Sequence, residues 1–265
     1  MLDLRRFRRL AAVHWAEHGR GYLWFLGIGI AVHACVWLLM TAGGAHAERY
    51  DDGDQTLLFV AGYLLSGLLF AGRYHAALAR PESALTFLMR PASALEKALL
   101  AFLVVAVLYP LAYTLAFQVC NLPGALIGEA ARDVALASTN AAESSGYLEH
   151  RAYGPFFPFT SDMSPWFELD LFLGAAALQA LVLAGALYFQ RVAWLKTLVA
   201  LFVLVVVAIP LLATLTDASP GQLFWTQSRA GPTPGLLAWK WTLWLGVPAL
   251  FWASTYFLLR ERELQ

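Results

Sequence analysis

Six stretches of this chain carry no formal charge: Tyr22–Thr41, Thr56–Gly72, Ala98–Val119, Leu171–Phe189, Thr197–Thr214 and Trp241–Leu259. They hold 115 of the 265 positions, yet none of the 18 basic or 18 acidic residues falls inside them. At about 1.5 Å per helical residue, runs of 17 to 22 residues match a hydrocarbon core roughly 30 Å thick. In lipid every backbone N–H and C=O needs a partner within the protein, so such a run must be a helix or a strand of a closed barrel. Barrel strands alternate polar and apolar over about ten residues. These runs are apolar on every face, which predicts an all-α membrane protein of six transmembrane helices.

Charge assigns the sides. If the runs cross in alternation, one side receives both termini and the connections 73–97 and 190–196. That side holds thirteen basic residues, among them Arg5, Arg6, Arg8, Arg9, Arg73, Arg80, Arg90 and Lys97, and six acidic ones. The opposite side holds Arg49, Arg132, Arg151, Arg229 and Lys240 against twelve acids. The Lys/Arg bias predicts a multi-pass membrane protein with both termini in the cytoplasm. A hydrophobic content of 60% agrees with burial in lipid, against about 45–50% in soluble domains. Cys35 and Cys120 lie within or at the end of uncharged runs and give no disulfide framework. No cleavable signal peptide is expected, because the basic start leads directly into a full-length span.

Residues 1–20 read as a basic amphipathic helix at the membrane interface, with Leu4, Phe7, Leu10 and Ala11 on one face and arginines on the other. Within it, His14-Trp15-Ala16-Glu17-His18 matches an H-x-x-E-H zinc pattern. Histidines at i and i+4 share a face and could bind zinc, but a third ligand is lacking, so no metal is expected. Between the second and third runs, Pro81 and Glu82 suit the start of a short helix, and Pro91 ends it. Ser93 and Glu96 then form a capping box for the helix entering the third run. The two-turn helix 81–90 presents Leu85, Phe87, Leu88 and Met89 on the cytoplasmic side. These residues either pack on the membrane surface and neighbouring spans, or anchor the helix in a groove of a cytoplasmic partner.

The outer segment 120–170 is too long for a passive connector. Ala125–Ala137 reads as helical, 140–146 as small and polar, and Phe156, Phe157, Phe159, Trp166 and Phe167 as an aromatic shelf at the outer interface. Residues 217–239, with three prolines, read as an irregular outer turn. Within the runs polarity is sparse. His33 and Gln179 are the candidate pathway or helix-packing polar residues, because exposing them to lipid is costly. Pro110, Pro210 and Pro248 are expected to kink their helices.

The sequence holds no phosphate loop, no G-x-S-x-G elbow and no H-E-x-x-H, and nothing in it suggests nucleic-acid readout. An enzyme is therefore the lesser expectation.

The stretch Thr86-Phe87-Leu88-Met89-Arg90-Pro91-Ala92-Ser93-Ala94-Leu95-Glu96-Lys97 resembles the FLxxPASxxEK signature of small bacterial type 2 permeases of ATP-binding-cassette transporters. Phe189–Thr197 is similar to their loop between spans four and five. The resemblance covers nearly the whole length, although the larger outer insertion lies here between spans three and four rather than between the last two. It implies the membrane subunit of an ATP-driven exporter. The helix 81–90 would be its coupling helix, with Leu85, Phe87, Leu88, Met89 and Arg90 as the ATPase-coupling contacts. The partners implied are a cytoplasmic nucleotide-binding ATPase subunit, a second permease copy or paralogue, and the bilayer. ATP and Mg would bind the ATPase, and no cofactor would bind this chain directly. The alternative to a transporter subunit is a membrane-embedded enzyme or a non-transport assembly factor.

Overall fold

The computed structural model describes residues 3–41, 52–75, 87, 89–137, 165–189 and 241–264, together with part of 195–211. The described residues form helices and no strand. In chain order these are α1 (Leu4–Thr41), α2 (Asp52–Tyr74), α3 (Ala94–Phe102), a π-helical stretch Leu103–Leu108, α4 (Tyr109–Ala137), α5 (Pro165–Tyr188), a second π stretch Thr242–Gly246, and α6 (Val247–Leu264). Four helical segments are long and apolar enough to cross a membrane: Leu4–Leu39, Gly53–Tyr74, Ala94–Val134 and Leu171–Tyr188. They cover the first four uncharged runs to within two residues, as a multi-pass membrane protein requires. The described residues of 195–211 are helical too.

The amphipathic start and the first run form one uninterrupted helix of 38 residues, continuous through Gly19 and Gly21. At 1.5 Å per residue it measures about 57 Å, well beyond a hydrocarbon core. Its packed face recurs at helical spacing through Phe7, Leu10, His14, His18 and Tyr22, while Arg5, Arg8, Arg9 and Arg20 are exposed. Likewise α4 continues past the third run to Ala137, so 125–137 is helical as the sequence predicts. Pro165 occupies the first position of α5, where its missing N–H has no bond to make. Residues 140–146, 156–159 and 217–239 lie outside the described residues.

Both π stretches stop two residues short of a proline, at Pro110 and Pro248. A proline lacks the N–H that would bond four residues back, and its ring presses on that carbonyl. A wider turn relieves the pressure, and the backbone N–H of Val247 accordingly reaches back to the Thr242 carbonyl. The expected disturbance at these prolines thus takes the form of local π geometry.

The chain divides into two compact units. One comprises Met1–Leu10, Leu68–Ala106 and Leu169–Gln265. There α6 packs on α3, and a small core joins Ala94 and Ala98 of α3, Leu187 of α5 and Leu259 of α6. Within this unit α5 is also well covered, with Ala175, Ala180, Val182, Leu183, Ala184, Ala186 and Leu187 all buried.

The other unit comprises Ala11–Gly67 and Val107–Glu168. Its α2 and α4 run antiparallel along a seam of hydrogen bonds. Asn121 Nδ2 donates to Gln55 Oε1 at 2.6 Å, the Tyr113 hydroxyl to the Phe59 carbonyl at 3.0 Å, and the Tyr109 hydroxyl to the Tyr63 carbonyl at 3.0 Å. Ser66 Oγ lies 2.7 Å from the same Tyr109 oxygen. Each helical carbonyl has a second lone pair for such a bond, and lipid offers no water to compete for it. Phe59, Tyr63, Tyr109, Tyr113 and Phe117 stack along the seam, with ring centroids 5.0–6.3 Å apart. A Cβ at Gly62 would run into the Tyr113 hydroxyl, so glycine there sets how closely the helices approach.

Candidate functional site at the start of α3

Ser93 is the N-cap of α3: its side chain accepts from the Glu96 N–H at 3.3 Å, and Glu96 Oε2 accepts from the Ser93 N–H at 3.0 Å. The capping box read from the sequence is present. Glu96 does more than close it. Its other oxygen accepts from the backbone N–H of Asp3 at 3.0 Å. The Arg6 guanidinium grips the carboxylate through Nε, 2.8 Å from Oε2, and Nη2, 2.8 Å from Oε1.

Asp3 in turn caps α1, its Oδ1 accepting from the N–H of Arg5 at 2.9 Å and of Arg6 at 3.4 Å. One wholly buried carboxylate therefore serves the first backbone donors of two helices and one arginine. A planar guanidinium suits this two-point grip, and the surrounding donors satisfy a charge that would otherwise be costly to bury.

Glu96 lies ahead of the uncharged run that begins at Ala98. Its carboxyl is held well below the usual range, from 4.5 to about 2, first by the Arg6 hydrogen bonds, against the opposing effect of burial and with help from the Asp3 and Ser93 N–H groups. A carboxyl lowered in the folded state contributes stability fully above its unfolded value and loses it as pH falls through the folded one. The excess thermal stability of the native chain over Glu96→Gln is thus expected to be constant above pH 4.5 and to shrink as pH falls toward 2. A difference that ignores pH across that window would contradict this assignment.

Phe87 lies beside this junction. The Arg90 Cζ stands 5.4 Å and the Lys97 Nζ 5.5 Å from its ring centroid, distances at which a cation is drawn to an aromatic face. The His75 ring meets it edge-on at 6.3 Å. Phe87 also packs against the Ala94–Ala98–Leu187–Leu259 core. Met89, two residues on, is 82% exposed. Phe87 therefore holds the segment to its own helices, and Met89 is presented outward. Leu85, Leu88 and the stretch 81–86 lie outside the described residues.

The other sequence candidates sit elsewhere. Gln179 is buried in α5, and neither of its amide atoms has a hydrogen-bond partner among the described residues. His33 belongs to the second unit, its ring edge-on to Phe117 at 5.0 Å. In the H-x-x-E-H stretch, His14 Nε2 pairs with the Tyr22 hydroxyl at 2.6 Å and His18 Nδ1 with the His14 carbonyl at 3.2 Å, the two rings stacking at 4.6 Å. No group of three potential ligands for a metal occurs among the described residues.

Sequence reasoning did not single out Arg6 or Asp3. The available signal was Asp3 ahead of a helical pattern, together with a capping-box carboxylate near an arginine-rich terminus. No protein-family model, curated protein or solved structure matches the chain.

Proposed function

We propose that this chain is the membrane subunit of an ATP-driven exporter of the bacterial inner membrane, with six spans and both termini in the cytoplasm. It pairs with a second copy or a paralogue and takes work from a cytoplasmic ATPase that binds ATP and Mg. The segment 81–90 receives that work. The supporting observation is how the end of this segment is built. Phe87 is fixed between Arg90, Lys97 and the α3–α6 core, the Ser93–Glu96 box starts α3 directly after it, and Met89 points away from the chain. A push on the exposed side would pass into α3 and the helix beyond, and a two-state bundle responds to whatever binds its states unequally.

The test is co-purification from the native membrane with identification of the attached ATPase. Met89→Asp is expected to abolish the association and leave the thermal midpoint unchanged, because the side chain is exposed. Phe87→Ala is expected to lower the midpoint. An ATPase that still co-purifies in full with Met89→Asp would reject the docking role. A chain that carries no ATPase at all would reject the transporter reading.

A further inference from the structure

From Leu171 onward, past Glu168 and Asp170 in its first turns, α5 is apolar on every face, so hydrophobic patterning does not fix the rotation of this run about its axis. Within the run Leu171–Phe189, Gln179 is the one strongly polar side chain, so within the run it is the group with a directional preference. In the packing described it is 1% exposed, and its Oε1 and Nε2 both lack a hydrogen-bond partner among the described residues. A buried carboxamide left this way raises the free energy of the state that strands it.

Small residues are frequent along this helix. They are Gly174, Ala175, Ala176, Ala177, Ala180, Ala184, Gly185 and Ala186, and Gly185 lets the helical residue Thr197 approach closely. Small contact residues let helix backbones approach closely.

We propose that Gln179 is a conformational switch residue: α5 has a second packing, reached by rotation or a shift along its axis, in which the carboxamide is hydrogen-bonded. The packing described is thereby held less stable than its apolar contacts alone would make it. The helix exchanges between the two, and a partner that favours one has little to overcome. This inference concerns the chain alone and stands apart from the transport reading.

The experiment uses the full chain in lipid nanodiscs with Cys35→Ser and Cys120→Ser. Val182→Cys, near-isosteric at a fully buried position, reports departure from the present packing by its labelling rate with a small water-soluble thiol reagent. Adding Gln179→Leu, close to isosteric and apolar, is expected to slow labelling at least tenfold. Without the reporter cysteine, Gln179→Leu is expected to raise the thermal midpoint by about 5 °C. A lowered midpoint would mean that the amide is already bonded, and would overturn the proposal. A raised midpoint with unchanged labelling would mean that no second packing exists, and would overturn it equally. Neither measurement needs an ATPase, so failure of the transporter reading shows separately, in the co-purification.

Discussion

Glu96→Ala is expected to destabilise the chain roughly two to three times as much as Ser93→Ala, measured by thermal unfolding of each variant in the same lipid. Ser93→Ala removes one side-chain acceptor at one helix start, a loss of about 1 kcal/mol in typical caps. Glu96→Ala strands the N–H groups of Ser93 and Asp3 and releases Arg6. Arg6→Ala should fall between the two, since the carboxylate then keeps its backbone donors and loses its cation. Equal losses for Ser93→Ala and Glu96→Ala would show that the carboxylate serves α3 alone.

Gly185→Val is expected to cost about 1–3 kcal/mol, as overpacking of a closed helix contact does. A Cβ at Gly185 would sit 2.7 Å from the Thr197 Cγ2 and 2.8 Å from its Cβ, and the Cβ is fixed to the backbone and cannot swing away. The two helical segments must separate. Thr197→Ala removes the hydroxyl and the methyl and leaves only the Cβ, so the double variant should lose less than the two singles together. Additive losses would mean that the two residues do not limit each other's approach.

What the sequence made legible was mostly local. Runs without charge identified the four long apolar helices, because excluding charge over about 20 residues is a strong signal. Ser93 and Glu96, three residues apart, identified the start of α3, because a capping box is read within one turn. The helix over 125–137 followed from its own periodicity. Pairings between distant residues were not legible. Arg6 and Glu96 are separated by 90 positions, and four arginines in the first nine residues were equally eligible. No local pattern sets Tyr109 and Tyr113 apart within their uncharged run. Only the register of α4 against α2 shows that their hydroxyls reach the carbonyls of Tyr63 and Phe59. The same limit applies to Phe87, whose apolar character is plain from the sequence but whose inward packing is not.

The junction of α1 and α3 has an electrostatic consequence. Each helix start carries about half a positive charge from its aligned peptide dipoles. With the guanidinium of Arg6 these offset the negative charges of Asp3 and Glu96, so the joint is neutral as a whole. A neutral joint neither gathers counterions nor adds to the pull of the neighbouring arginines on an anionic leaflet. Salt concentrations that weaken the hold of those arginines on lipid should leave the weld between the two helices intact.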